Sequence, residues 1–247
     1  MRLILSPLAL IAAPALAQQP PPAGPPTGET VFDDTWVTIG VGAGYSPSYT
    51  GSDDYRVSVL PVVQGKVMGV RIEPRPAGIA LNLLPEVRGK PHLSLGPVVR
   101  LRSDRAENID DPVVELAGEL DRAVEVGVSA GINFPGQLTR RGTLSFTLDA
   151  RQDVAGAHSG LVFEPRVQWS SPLGQAAFVQ LSVGGEFADG DFGRYYQSVT
   201  PVQAAASGLP QFAADGGMTS IGASVFAAYD LDGNARNGGL GLVMIAG

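Results

Sequence analysis

The sequence of 247 residues lacks cysteine and contains two histidines, His92 and His158. Without cysteine, disulfide-stapled domains and cysteine-ligated zinc sites are excluded, and two histidines leave little room for a histidine-rich metal centre. The basic residues number 17 against 24 acidic ones. This balance argues against a nucleic-acid partner, because phosphate binding needs a basic surface. Long apolar runs are also missing after residue 31, which excludes membrane-spanning helices there.

The amino terminus has the pattern of an export signal. Arg2 supplies a short positive region, residues 3–13 are largely apolar, and Ala15-Leu16-Ala17 is a small-residue cleavage site. We therefore predict a signal peptide over residues 1–17. Residues 18–30 are rich in proline and poor in apolar bulk, which predicts a disordered tether. The remaining residues, 31–247, form the predicted folded domain.

Apolar residues alternate with small or polar ones along most of this domain, which is the pattern of β-strands. In one segment Val124, Val126, Val128, Ala130 and Ile132 alternate with Glu125, Gly127, Ser129, Gly131 and Asn133. About eleven such segments are found, at residues 37–45, 55–64, 66–73, 78–83, 92–102, 122–133, 143–151, 160–169, 176–187, 218–229 and 238–245. The domain is therefore predicted to be all-β.

The second face of these strands decides between a soluble sandwich and a membrane barrel. It consists largely of glycine, serine, asparagine and charges of opposite sign, and this composition suits the crowded, wet interior of a barrel with an apolar outside. We therefore predict a transmembrane, antiparallel, up-and-down β-barrel of about 10–12 strands in the outer membrane of a Gram-negative bacterium.

The strand count and the carboxyl end leave one question open. Bacterial single-chain barrels have even numbers of strands, so a count of eleven implies that one strand is missing, spurious or split. The chain ends on Gly247, whereas barrel proteins usually end on an aromatic residue. The pattern thus leaves open a barrel that is incomplete at its carboxyl end.

Charged residues recur on the predicted inner face of the barrel. They are Arg100, Arg102, Glu125, Asp149, Arg151, Glu164, Arg166 and Glu186. Two interpretations remain for them. As cross-strand ion pairs they would fill the interior, and this is the favoured one; as fixed charges along a pore they would tune solute passage.

Three aromatic residues lie in the long connection after residue 187: Tyr195, Tyr196 and Phe212. Exposed aromatics are typical anchors for a protein partner, and the same side chains would also serve as a plug folded into the barrel. The sequence does not decide between a partner-contact loop and a plug.

Four ordered motifs lie within residues 36–232. The first is Tyr45-Ser46-Pro47-Ser48-Tyr49-Thr50-Gly51-Ser52-Asp53-Asp54-Tyr55, followed by Leu60-Pro61. The others are Gly96-Pro97 with Arg100-Leu101-Arg102, then Asp153-Val154-Ala155-Gly156-Ala157-His158-Ser159-Gly160, and finally Tyr195-Tyr196-Gln197-Ser198-Val199-Thr200-Pro201 with Ser207-Gly208-Leu209-Pro210-Gln211-Phe212. Together these motifs resemble those of the MipA/OmpV family of MltA-interacting outer-membrane proteins.

This resemblance implies a non-enzymatic scaffold that links a lytic transglycosylase and a murein synthase near outer-membrane lipid. A surface adhesin or a small-solute channel is the alternative, because a fold does not fix what its loops do. An enzyme is disfavoured: His158 and Ser159 are adjacent, so on a strand their side chains would point to different sides. We expect no catalytic, cofactor-binding or metal-ligating residues and no cofactor.

Overall fold

A computed structural model describes residues 7–11, 34–47, 52, 55–87, 89–106, 109, 111–235 and 239–246. The predicted tether, residues 18–30, lies outside the described residues. Within the described part the chain forms twelve strands and three short helices. The strands are β1 (Pro7–Ile11), β2 (Trp36–Pro47), β3 (Tyr55–Val67), β4 (Val70–Arg75), β5 (Gly78–Asn82), β6 (His92–Arg102), β7 (Ala123–Pro135), β8 (Thr143–Asp153), β9 (Leu161–Leu173), β10 (Ala177–Ala188), β11 (Gly217–Asp230) and β12 (Gly241–Ala246).

Each strand from β2 to β12 pairs antiparallel with its neighbours along the chain. The sheet closes through β1, which pairs with β12 on one side and with β2 on the other. The predicted all-β, up-and-down barrel is therefore confirmed. Closure matters in a bilayer, because hydrocarbon offers no partner for an unpaired strand edge.

The twelfth strand, β1, lies inside residues 1–17, which the sequence predicts to be an export signal. It accounts for the odd number of strands found from the alternation, which covers β2 to β12. Neighbouring strands run in opposite directions, so β2 and β12 run in the same direction. A strand antiparallel to both is needed between them, and β1 has that direction.

One predicted boundary is wrong: the break predicted between the segments 55–64 and 66–73, at Gln64-Gly65. This dipeptide lies within β3, and the chain reverses at Met68-Gly69 instead, where both residues have positive φ, 51° and 87°. That geometry is typical of the tight turns that join antiparallel strands. Gly65 has a different role: a Cβ there would collide with the backbone of Trp36 on β2. This glycine allows close strand approach rather than a turn.

The two faces of the sheet differ as predicted. Large apolar side chains that point outward are exposed in the isolated chain, among them Val128, Leu148, Leu181 and Val183. Their neighbours along the strands point inward, and Glu125 and Asp149 are fully buried there. An exposed apolar band around a sheet with a polar interior is the arrangement of a barrel that faces lipid.

The two ends of the barrel differ in their connections. At one end the connections between β3 and β12 run from two residues, 68–69, to ten residues, 231–240; we call this the short-turn end. At the other, the long-loop end, residues 103–122 and 189–216 carry the helices α1 (Pro112–Leu116), α2 (Gly190–Tyr196) and α3 (Pro201–Ser207). None of the described helices has the length and apolar character that crossing a membrane requires.

The outward orientation of Leu181 can be tested against that of its neighbour Gln180 on β10. Leu181→Arg places a charge on the lipid face near mid-strand, and we expect it to lower the free energy of unfolding in a bilayer by about 2–4 kcal/mol. Gln180→Arg points into the lumen, so its effect should be small. Urea titration of both variants in phospholipid vesicles measures the difference, and a larger loss for Gln180→Arg would mean that the two faces are inverted.

Candidate functional site in the barrel lumen

The inward faces of β4 and of β6 to β10 bring together ten charged side chains, which we call the lumen cluster. Its members are Glu73, Arg75, Arg100, Arg102, Glu125, Asp149, Arg151, Glu164, Arg166 and Glu186. Eight of them are the inner-face charges identified from the alternation. The structure adds Glu73 and Arg75 on β4. The charges balance, with five arginines against five carboxylates.

Arg151 on β8 lies at the centre of the cluster and is only 2% exposed. Its Nε donates to Glu125 Oε2 at 3.0 Å, and its Nη2 donates to Glu164 Oε2 at 2.9 Å. Asp149 Oδ2 lies 3.8 Å from its Nη1. Burying ions costs several kcal/mol each unless they are paired and hydrogen-bonded. The fork of the guanidinium meets this need because it presents several donors in one plane.

Some pairs join strands that are not neighbours in the sheet, so they cross the lumen. Arg75 Nε on β4 donates to Asp149 Oδ2 on β8 at 2.8 Å. Arg102 Nη2 on β6 donates to Glu186 Oε2 on β10 at 2.6 Å, while its Nε donates to Glu125 Oε1 on β7 at 2.6 Å. These bonds tie opposite parts of the wall together and fill the space between them.

Two glutamates connect the remaining arginines. Arg100 Nη1 lies within hydrogen-bonding distance of Glu164 Oε2, at 3.2 Å, and of Glu186 Oε2, at 3.0 Å. Arg166 donates to the other oxygen of Glu164. The free oxygen of Glu186 accepts from Thr219 Oγ1 on β11 at 3.0 Å. The ion pairs therefore form one connected network rather than separate bridges.

Helix α2 covers the cluster from the long-loop end, and we call it the plug helix. Asp189 caps it by accepting from the amides of Asp191 and Phe192, and also binds the amide of Leu161 at 2.8 Å. The rings of Phe192 and Tyr196 lie 4.8 and 5.9 Å from the guanidinium carbon of Arg102. Cation–π attraction of this kind strengthens where water is excluded.

The segment after β8 supports the plug helix, and its anchor is the Asp153 carboxylate. One oxygen of Asp153 accepts from the amide of Ala155, and the other accepts from the amides of His158 and Ser159, at 2.9–3.0 Å. Gly156 supplies a positive φ of 83° within this turn. The turn thereby directs the His158 ring inward.

His158 connects this turn to both the cluster and the plug helix. Its Nδ1 accepts from the amide of Gly160 at 3.1 Å, and its Nε2 lies 3.5 Å from Glu125 Oε1. The ring packs against Phe192 and Tyr196, with centroids 5.1 and 5.5 Å apart. A Cβ on Gly160 would approach the Phe192 amide to 2.8 Å. The Asp153–Gly160 motif therefore holds the plug helix against the barrel.

The same geometry bears on the adjacent pair His158 and Ser159. The His158 side chain is buried and faces Glu125, whereas Ser159 is exposed and its amide binds Asp153. The two side chains point to different sides, as expected for neighbouring residues. The pair therefore lacks the contact between base and hydroxyl that a catalytic nucleophile needs.

The structure separates the three loop aromatics. Tyr196 is 7% exposed and packs inward on the plug helix, and Tyr195 accepts a hydrogen bond from the amide of Asp121 at 2.8 Å. Phe212 is 59% exposed and forms a β-bridge with Val199. Burial raises the pKa of both tyrosines. One member thus belongs to a plug, and one remains on the surface.

No group of three or more His, Asp or Glu side chains in the described part of the chain is arranged to hold a metal ion. Asp53 and Asp54, the adjacent carboxylates of the first motif, lie outside the described residues.

Comparison with known proteins decides the family. The family model of the MltA-interacting protein MipA matches residues 39–245. The chain belongs to the MipA family. No curated protein and no solved structure matches it. The resemblance found in the four sequence motifs is thereby confirmed, and the MipA family together with the barrel fold fits an outer-membrane protein.

Two groups of residues in this MipA-family barrel were missed from the sequence. Glu73 and Arg75 follow Arg71 at every second position along β4, so their spacing carried a signal for a shared face. Phe192 gave no such signal, because its place over the lumen depends on how α2 folds back. Long-range folding of this kind is not encoded in a local period.

The contribution of the lumen cluster to stability can be tested by removing one charge from its centre. Arg151→Met leaves Glu125 and Glu164 buried with one partner fewer, and we expect a loss of about 3–5 kcal/mol in the free energy of unfolding. The control is Arg194→Met, which removes an exposed pair with Asp191 and should cost less than about 1 kcal/mol. Urea titration in detergent micelles, followed by tryptophan fluorescence, compares them; equal losses would contradict a buried network.

Proposed function

We propose that this chain is an exported outer-membrane barrel that acts as a non-enzymatic interaction protein for murein-remodelling enzymes, a lytic transglycosylase and a murein synthase. The family match carries the proposal, because the family description names an interaction and not a reaction. The predicted signal peptide over residues 1–17 supports export; its cleavage would remove β1 and leave β2 and β12 at the edges of the sheet. The apolar outer face of the strands supports insertion into a bilayer.

The ion pairs that the carboxylates form support a structural role for the lumen cluster. Glu125, Asp149, Glu164 and Glu186 each contact at least one arginine. A general acid or base needs access to its substrate. Carboxylates held in buried arginine pairs lack this access, so the cluster is better suited to holding the barrel together.

The same cluster argues against a solute channel. Its cross-lumen pairs fill the space between β4 and β8 and between β6 and β10. The plug helix then covers the cluster from the long-loop end. Ions would have to displace buried guanidinium–carboxylate pairs to pass this part of the lumen.

We therefore expect the purified protein to show no steady ion conductance in a planar lipid bilayer. Ser182→Ala changes a hydroxyl that lies outside the lumen cluster and serves as the matched control for Glu186→Ala, which breaks the pairs with Arg100 and Arg102. Brief openings should increase in the Glu186 variant and not in the control. Stable open channels in the unmodified protein would favour the channel alternative instead.

The position of the partner surface follows from the two ends of the barrel. Long loops of such barrels normally face outward from the cell, whereas murein lies on the inner side of the outer membrane. We therefore place the enzyme contact at the short-turn end. Exposed apolar side chains lie in the connections there, including Met68, Leu83 and Leu138. Leu138 is 83% exposed, which is unusual for a large apolar residue and is typical of a contact surface.

A pull-down with a purified lytic transglycosylase tests both the partner and the end. Leu138→Asn removes an exposed apolar side chain at the short-turn end, and asparagine tolerates the positive φ of 59° at this position. Phe212→Asn removes a comparable side chain at the long-loop end. We expect the first variant to weaken capture and the second to leave it unchanged.

The two variants also separate the competing interpretations. Loss of capture only in Phe212→Asn would move the contact to the long-loop aromatics, which is one of the two interpretations that the sequence left open. No capture of the enzyme by the unmodified barrel, at concentrations well above micromolar, would contradict the proposed function. Heat-modifiable migration on gels serves as the folding control, because only a closed barrel resists unfolding before boiling.

A further inference from the structure

The connections at the two ends of the barrel differ in charge. At the long-loop end, residues 103–122 and 189–216 hold ten acidic and three basic residues, a net charge of −7. The five short-turn connections between β3 and β12 hold two acidic and five basic residues, a net charge of +3. The end at which we place the enzyme contact is therefore the basic end of the barrel.

Three of these cations are exposed and have no acidic partner. Lys90 precedes β6, and Arg140 and Arg141 lie in the turn between β7 and β8. Glu86, which shares a connection with Lys90, is paired with Arg71 instead. Within the described residues no carboxylate forms an ion pair with any of the three. Their charge is therefore available to a partner, unlike that of the lumen arginines.

The turn between β7 and β8, residues 136–142, is closed by its own backbone. The Gly136 amide donates to the Gly142 carbonyl at 2.7 Å, and the Gly142 amide donates to the Thr139 carbonyl at 3.0 Å. The Thr139 hydroxyl also lies 3.0 Å from that of Ser171 on β9. Because the turn is fixed before any partner arrives, docking on it costs little conformational entropy.

The same turn holds Leu138 in an unusual conformation. Its φ is 59°, a region that bulky residues rarely adopt, and its side chain is 83% exposed. Trp169 Nε1 fixes the preceding residue by donating to the Gln137 carbonyl at 3.1 Å. Strain that only exposes an apolar side chain to water does nothing for the fold, and such outliers cluster at binding sites.

Cations lie on both sides of this apolar side chain. Arg141 extends towards the next short turn, where its Nη1 lies 3.5 Å from the Gly174 carbonyl. Lys90 lies on the opposite side, in the connection that enters β6, and β6 is paired with β7. The turn patch, as we call it, consists of Lys90, Leu138, Arg140 and Arg141.

The turn patch faces water rather than lipid. Trp169 lies on the outer face of β9 with Phe163 and Val167, and an aromatic residue at such a strand end marks the membrane boundary. Residues 136–142 follow the end of β7 and precede β8, so they lie beyond the paired strands. This position favours the surface of a protein over lipid headgroups as the partner.

An apolar centre with a cationic rim selects a surface of the opposite pattern. An apolar side chain that enters a recess contributes affinity. Rim charges steer an oppositely charged surface into contact and repel a surface of like charge. The partner that fits the turn patch is therefore acidic.

We propose that the enzyme surface that docks here is acidic around an apolar recess, with Leu138 in the recess and carboxylates of the enzyme facing Lys90, Arg140 and Arg141. This assignment rests on the proposed function, which supplies the enzyme and the end of the barrel. It adds the chemistry of the contact: the charges set how fast the enzyme associates, and Leu138 sets how long it stays bound.

The binding kinetics of a purified lytic transglycosylase test this assignment. The full chain is held in phosphatidylcholine nanodiscs, and both rate constants are measured at low and high salt. We expect the association rate to fall about fivefold or more between about 50 and 300 mM sodium chloride, because salt screens exposed charges. The dissociation rate should change much less.

Four variants connect the rates to the named side chains. Arg140→Gln combined with Arg141→Gln should slow association at low salt about fivefold or more, without faster dissociation. Leu138→Asn should do the reverse and speed dissociation about fivefold or more. Arg140→Lys combined with Arg141→Lys keeps the charge and should associate like the unmodified protein. Arg194→Gln changes an exposed arginine at the long-loop end and should alter neither rate.

The outcomes separate this assignment from the proposed function. Association that does not depend on salt, or a double glutamine variant that behaves like Arg194→Gln, overturns the acidic surface and leaves the proposed function standing. If the enzyme does not bind the unmodified barrel at all, both are overturned. Heat-modifiable migration checks the fold of each variant, and Lys90→Gln carries the charge test if the double variant does not fold.

A second measurement separates the enzyme from a lipid surface. Urea midpoints of the unmodified barrel and the double glutamine variant are compared in phosphatidylcholine vesicles with and without phosphatidylglycerol. We expect the anionic lipid to shift both midpoints equally. A stabilisation by phosphatidylglycerol that the double variant loses would assign the cations to lipid headgroups and overturn the proposal.

Discussion

The pairing of every strand edge in a medium without water is the constraint on which the structure depends. Once the backbone is paired within a closed sheet, apolar side chains gain by facing lipid, and polar ones are left with the interior. A narrow interior cannot solvate isolated charges. The charges therefore pair with each other, and the lumen cluster is the consequence of the closed sheet rather than an addition to it.

The lumen cluster in turn provides the surface against which the plug helix packs at the long-loop end. Arg102 pairs with Glu125 and Glu186 on its inner side and offers its guanidinium face to Phe192 and Tyr196 on the other. The Asp153–Gly160 motif fixes the height at which the plug helix meets this surface. A family motif that contains the adjacent residues His158 and Ser159 thus acts as a structural anchor.

Much of this fold could be predicted because strands have a local period. The boundaries of β6 agree with the alternation at both ends, and the inner-face charges on β6 to β10 follow from counting every second residue. The errors have physical causes. A turn was predicted at Gly65 because glycine favours turns. In the structure this glycine lies within β3, where the missing Cβ allows the backbones of β3 and β2 to approach closely. The strand β1 was not predicted because a short apolar segment before a cleavage site has the pattern of an export signal as well as that of a strand, and the export signal stays a prediction.

By itself the sequence determined which side of each strand faces lipid, since alternation needs only neighbours along the chain. It also determined the family, through motifs that keep their order. Only the tertiary structure decided which charges meet: Arg75 and Asp149 are 74 positions apart, and Arg102 and Glu186 are 84 apart. It also decided that Tyr196 turns inward while Phe212 stays outside. The reason is that these contacts depend on the order and curvature of the strands, which place distant segments on opposite sides of one lumen. The alternation of residues along a single strand carries no information about that order.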